Sequence, residues 1–155
     1  MSTAASAAPA DPDQAARQGW IGLLARAPAR RLAALFPELP AHEPLRRPET
    51  GTVMVRGRLG ATGAAFNLGE MTVTRCSLRL ASGAVGHAQV QGRNKGHALR
   101  AAALDALMQG PEAERLRRQV LDPLAAEEAA RRANRAAKAA ATKVDFFTMV
   151  RGEDS

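Results

Sequence analysis

The stretch from Arg56 to Arg75, RGRLGATGAAFNLGEMTVTR, constrains the fold more than any other part of the chain. Three arginines, four glycines and three threonines stand in it beside a single acid, Glu70. Such a mixture is poor material for a packed core. Arginine supplies a planar, permanently charged fork of donors, glycine lets backbone N–H groups approach a ligand, and threonine adds a hydroxyl that donates or accepts. The segment suits a polyanion better than it suits an interior.

The period of the sequence changes on either side of it. Residues 1–12 are rich in Ala, Ser and Pro and are expected to be disordered. Asp13 is placed to cap a helix over Gln14 to Ala27, with Trp20, Leu23 and Leu24 at helical spacing; Trp20 reads as the anchor of a small apolar cluster. Pro28 starts a second short helix with Leu32, Leu35 and Phe36 on one face, stopped by Pro37 and Pro40. From Pro48 the pattern becomes strand-like: Thr52 to Leu59, then GATGAAFNLG as a long loop or hairpin connection, then Met71 to Leu80. The turn ASG leads to a third strand, Val85 to Gln91. Along the second strand Cys76, Leu78 and Leu80 alternate with Arg75, Ser77 and Arg79, one buried face and one polar.

Helical spacing returns at Asn94, and HALRAAALDALM (97–108) is the most apolar helix of the chain, broken only by Arg100 and Asp105. Gly110 ends it, Pro111 is placed to open the next helix, and Asp122–Pro123 repeats that pairing of cap and first-turn proline. The helix from Leu124 to about Thr142 has no large apolar residue after Leu124 and is supported by Glu127–Arg131 and Glu128–Arg132 at i, i+4. It leads into VDFFTMV, an apolar plug whose Phe146, Phe147 and Met149 are the expected partner-docking residues. These elements predict an α+β fold: N-terminal helices, an antiparallel meander of three to four strands, then C-terminal helices and an extended apolar tail. One domain is expected over 13–142, followed by a docking tail at 143–155.

The charge is concentrated. Residues 30–100 hold eleven Arg or Lys and four acids, a surplus of seven that equals the whole net charge of +7. A localised positive field attracts phosphates, nucleic acid or an acidic protein face. Aromatics are only 3% of the chain and tyrosine is absent, so the core is thin for 155 residues and a partner surface is expected to complete it. The N-terminus lacks the pattern of a signal peptide and no window reaches the length of a membrane span, so a soluble, cytoplasmic protein is expected.

Several chemistries are excluded by spacing. Three histidines and one cysteine show no zinc-ligand pattern. GRLGATG lacks the GK[ST] ending of a P-loop and precedes a strand where a dinucleotide fingerprint needs a helix. No GxSxG elbow occurs, and Ser77 and Ser82 have no evident base. Cys76, in its alternating strand, reads as a small buried hydrophobe. No catalytic residue is identified. What remains is the basic glycine-rich meander and a second basic loop, GRNKGHA (92–98), at the start of a helix.

If the meander sets 56–75 beside 92–98, five cations surround one anion-sized site. Arg56, Arg58, Thr62, Gly63, Glu70, Thr74, Arg75, Arg93, Lys95 and His97 are therefore the candidates for an anion or substrate site, or for an interface. Glu70 is expected to be ionised and paired, orienting an arginine or holding a phosphate-bound metal. A scaffold reading stays open beside the site: Asn94 capping the helix and Arg93 pairing with Glu70. RNA or DNA binding also fits a basic meander, though Phe66 is the sole aromatic of the sheet region and base stacking needs more.

The strings RQGWIGLLARAP, ETGTVMVRGRLGATG, FNLGEMTVTRCSLRL, GHAQVQGRNKGHA, DALMQ and VDFFTMVRG resemble the PhnG subunit family of the bacterial carbon–phosphorus lyase system, over residues 14–152. Departures are small: Ala61 stands where a second glycine is usual, Thr52 where leucine is, and Asn94 where aspartate is. The resemblance implies a subunit of a cytoplasmic complex with PhnH, PhnI and PhnJ type proteins, and with PhnL, in organic phosphonate metabolism and phosphorus assimilation. It implies that the complex displaces adenine from MgATP by methylphosphonate, giving α-D-ribose 1-methylphosphonate 5-triphosphate. The chain itself is then a transferase subunit with no catalytic residue or cofactor of its own. MgATP is a substrate of the complex, and the polyanionic nucleotide and phosphonate are the ligands the arginines would meet. A purely architectural subunit is the competing implication.

Overall fold

The computed structural model describes residues 12–142. Helices α1 (Pro12–Arg26) and α2 (Ala29–Leu35) lead into an antiparallel sheet of β1 (His42–Arg58), β2 (Ala65–Leu80) and β3 (Val85–Gln91), in the order β1-β2-β3. Helix α3 (Lys95–Leu107) follows. A short α4 (Ala113–Leu116) then runs through a wide π-type turn (Arg117–Leu121) into α5 (Asp122–Ala141). The expected α+β architecture is present, with three strands.

The core lies where α3 crosses one sheet face. Cys76, Leu78 and Leu80 of β2 and Ala88 and Val90 of β3 pack against Ala98, Ala101, Ala102 and Leu104, with Leu24, Leu32 and Leu124 closing the sides. Alanines on α3 let the helix settle close to the strands. The contact is closest at Gly86, where a β-carbon would stand 1.9 Å from the Ala102 carbonyl oxygen. Few bulky side chains are needed because backbone meets backbone, which is how a chain poor in aromatics still closes a core.

Asp105 explains the polar break in that helix. Its carboxylate is fully buried and accepts from Arg17 Nε (3.1 Å) and Nη2 (2.7 Å), from Trp20 Nε1 (2.9 Å) and from the His87 backbone N–H (2.9 Å). Trp20 is therefore a polar tether as well as an apolar one. Arg17 and Gln109 also donate to the Val85 carbonyl, at 3.2 and 2.8 Å. Together these groups satisfy the outer edge of β3, which would otherwise expose a pairing template. The Asp105 hydrogen bond, more than its charge, raises the Arg17 pKa above its ordinary value, against the opposing effect of burial.

Sequence periodicity placed β3 at its observed bounds but started β1 ten residues late and β2 six residues late. Pro44 and Pro48 hid the start of β1. Edge strands and bulges tolerate proline, and the β1–β2 register shifts between Pro44 and Arg46 and again between Arg46 and Glu49. Pro111 does not open a helix; α4 begins at Ala113 with Glu112 ahead of it. The π-type turn meets a need of Pro123, whose ring carries no N–H and crowds the carbonyl four residues back, that of Gln119.

Helix α5 buries only Leu124. Its first half is held by charge instead: Arg26 Nε to Glu128 at 2.7 Å, Arg31 Nε to Glu127 at 2.7 Å, and Arg132 to Glu128 at 2.8 Å. Glu127 thus pairs across to α2 rather than along its own helix with Arg131. The Arg26 hydrogen bond, chiefly, lowers the Glu128 pKa below the usual carboxylate range.

Three outcomes are expected. Gly86→Ala forces α3 off the sheet and costs on the order of 2 kcal/mol or more, read as a drop in thermal midpoint. Asp105→Ala strands the His87 N–H and the Trp20 indole and costs on the order of 3 kcal/mol, tempered by the partial exposure of Arg17; urea denaturation measures it. The Glu128 contribution is fully present above the ordinary glutamate range and is lost as pH falls through the depressed folded value. Amide exchange over 122–130 should therefore quicken on acidification, and Glu128→Gln should quicken it already at neutral pH, each ion pair contributing about 0.5 kcal/mol.

Candidate functional site

Beyond Val73, the last β2 residue paired with β3, β2 pairs with β1 alone. Eight residues of two-stranded ribbon therefore project from the body, on the order of 25 Å at the rise of a strand. Most of the Arg56–Arg75 stretch is this arm. At its tip Gly60 takes φ +58° and Gly63 N–H bonds the Leu59 carbonyl at 2.9 Å. A β-carbon on Gly63 would lie 2.8 Å from that carbonyl oxygen, so the close backbone approach its glycine permits is filled by the chain itself. Thr62 Oγ1 donates to the Gly60 carbonyl at 3.4 Å and Arg58 Nη1 to the Gly63 carbonyl at 3.0 Å, closing the turn.

The ten candidate residues fall into two groups. Arg56 opposes Asn67 and Arg58 opposes Ala65, near the tip. Arg75 opposes Glu49 and Gln89 in the body, ten residues along β2 from Ala65 and so roughly 30 Å away. Arg56 and Arg58 also lie on the opposite face from Arg75. The register slips between Val55 and Arg56, with Leu68 as the extra residue on β2. Pairing then sets Glu49, Gly51, Val53, Val55 and Gly57 on the face of Arg75, Met71 and Phe66, and sets Met54, Arg56 and Arg58 on the other with Glu70 and Asn67. The five cations do not surround one anion-sized site. Glu70 is exposed and makes no ion pair among the described residues, with Arg93 or any other cation.

In the body, Asn94 and His97 line one cavity and Arg75 lines another. Thr74, fully buried, donates to the Gly92 carbonyl at 2.7 Å, and Gly92 N–H bonds the Thr72 carbonyl at 2.9 Å. These bonds pin the loop of Arg93 and Lys95 to β2. Asn94 caps α3 by accepting the His97 N–H at 2.9 Å. His97 is buried, its Nε2 2.8 Å from the Leu24 carbonyl, so its ring ties α3 to the end of α1. A cavity of about 580 Å³ opens beside them, lined by Met71, Val73, Gln89, Gln91, Asn94, His97 and the α1–α2 junction. Arg93 and Lys95 flank Asn94 and are exposed.

A second cavity of about 230 Å³ is lined by Ile21, Arg46, Arg75, Ser77, His87 and Gln89, among others. Here Ser77 Oγ lies 2.9 Å from His87 Nδ1, a serine–histidine pair that sequence reasoning missed. The signal was available: Leu80 N–H bonds the Ala84 carbonyl around the ASG turn, and counting back in register sets Ser77 opposite His87. Arg46, also missed, pairs with Glu49 at 3.2 Å. Among the described residues Arg75 Nε is buried with no hydrogen-bond partner, and its Nη2 makes only a long 3.5 Å contact with the Thr52 carbonyl. A guanidinium held this way is a donor in want of an acceptor. Burial pushes the Cys76 thiol up, which leaves it protonated and inert.

Chemically, the body offers fixed cations, a hydroxyl and an imidazole to an anion; among the described residues no His, Cys, Asp and Glu cluster could hold a metal. No described helix is long and apolar enough to cross a membrane. Phe146, Phe147 and Met149 lie outside the described residues.

The family model described as phosphonate metabolism protein PhnG matches residues 15–152. The chain is also 46% identical over 151 residues to the α-D-ribose 1-methylphosphonate 5-triphosphate synthase subunit PhnG of Rhizobium meliloti (strain 1021), covering 93% of this chain and 94% of that protein. The chain belongs to the PhnG family of phosphonate metabolism proteins.

Proposed function

We infer that this chain is the PhnG subunit of an α-D-ribose 1-methylphosphonate 5-triphosphate synthase, acting in organic phosphonate catabolism within a carbon–phosphorus lyase core complex. Family membership along the chain and the identity to a relative of that name support the inference. Its partners in this reading are PhnH, PhnI, PhnJ and PhnL type subunits in the cytoplasm. MgATP and methylphosphonate are substrates of the assembly, and this chain binds no cofactor alone.

The reaction sets the electrostatic problem. A phosphonate oxygen forms a bond to the ribose anomeric carbon as the bond to adenine breaks, and the incoming group and the triphosphate are both anions. Fixed cations and oriented dipoles are the means of holding such groups together. The observation that carries a substrate-facing role is Arg75, whose buried Nε lacks an acceptor beside Ser77 and His87. Arg93 and Lys95, exposed on the loop that Thr74 anchors at Gly92, are the further cations of this reading. These residues bind and orient anions; the bond-making groups come from a partner.

Arg56 and Arg58 fit the other reading, an architectural one, because they sit on the projecting arm. In the reassembled synthase, Arg75→Ala and Arg93→Ala should each lower kcat/KM for ATP roughly tenfold or more, the worth of a charge-assisted hydrogen bond, while the complex elutes at unchanged size. Full activity in both variants overturns the anion wall. Loss of the variants from the complex means that the arginines face protein.

A further inference from the structure

Among the described residues five large apolar side chains are exposed, and four of them, Met54 (52%), Leu59 (78%), Phe66 (44%) and Leu68 (66%), are on the arm. The arm is amphipathic. Val53, Val55, Met71 and Phe66 share one face, with the Phe66 ring 3.7 Å from where a Gly57 β-carbon would be. Arg56, Arg58, Met54 and the threonines at 52 and 72 share the other. Among the described residues it has no third strand and no covering helix; such a two-stranded ribbon is marginal by itself in water, and a concentrated apolar patch on a projection marks a contact surface.

We propose that the arm is a docking element that inserts into an apolar cleft, rimmed by carboxylates, on another subunit of the synthase. Val53, Val55, Phe66 and Leu68 enter the cleft while Arg56 and Arg58 meet the acidic rim. Charge selects this occupant. The segment 30–100, which contains the whole arm, carries the entire +7 surplus of the chain, so a second copy meets it with the same sign. The arm itself offers two arginines against the single Glu70. The outer edge of β2 from Ala65 to Met71, unpaired among the described residues beyond the Gly92 N–H bond to the Thr72 carbonyl, adds backbone donors and acceptors that a partner strand can pair. The proposal rests on the subunit reading above and assigns to this chain the surface that reading requires.

The test co-expresses the full chain with the remaining synthase subunits and measures assembly by native mass spectrometry and amide exchange. Phe66→Ser with Leu68→Ser touches no buried residue, so the thermal midpoint of the isolated chain should hold. Affinity for the complex should fall at least a hundredfold. Arg56→Glu with Arg58→Glu should slow association and remove part of its salt dependence. In the wild-type complex the amides of 52–58 and 65–72 should become protected. Unchanged assembly of the serine variant, or arm amides that exchange as fast in the complex as alone, overturns the proposal. So does a concentration-dependent dimer of the isolated chain that the serine variant abolishes, or arm protection in the isolated chain that disappears on ending it at Thr142. If the wild-type chain itself never joins the synthase, the subunit reading fails instead.

Discussion

One buried carboxylate organises the body. Asp105 sits in the most apolar helix of the chain and gathers a guanidinium, an indole and a strand N–H onto its two oxygens. A buried charge is costly unless its lone pairs are filled, and here the groups that fill them come from α1 and β3. Meeting that one requirement therefore fixes the helix against the sheet, fixes α1 beside the helix, and closes the outer edge of β3. Beyond β3, the far half of the hairpin pairs on one side only.

Packing elsewhere follows a different economy. Close contact at Gly86 and a run of alanines stand in for bulky residues. Helix α5, which has almost nothing to bury, is held near its start by Glu127 and Glu128 and is exposed from Ala129 to its end. The body is thus firm where backbone meets backbone and loosely tethered where only charges meet.

Much of this was legible in the sequence. Alternation marked β3 and the inner half of β2, because one face is buried and the other wet. The Arg56–Arg75 composition announced a segment that stays out of the core as far as Thr72, with Val73 and Thr74 buried. What stayed hidden depended on relations between strands. Pro44 and Pro48 read as breaks because a lone sequence does not reveal that their strand is an edge. The pairing of Ser77 with His87 required counting around a turn, and that of Arg31 with Glu127 required knowing that two helices meet. Asp105 looked like an interruption since its partners are 18 to 88 residues away. Convergence of the cations, inferred from nearness along the chain, failed because an extended strand carries Arg56 and Arg58 far from Arg75 and turns them to the other face.

Leu68, the extra residue where β1 and β2 slip register, has a wider consequence. A strand has a period of two, so pairing behaves like a reading frame, and the bulge at Leu68 shifts the frame for everything beyond it. Lengthening the Leu59–Ala64 turn leaves the frame intact. Adding or deleting one residue within one strand of the tip flips the faces of that strand alone, so greasy and charged side chains come to share a side. Within a lineage of such proteins, length should drift freely at the turn and stay fixed in the strands, since a silent-looking indel there mixes what the tip keeps apart.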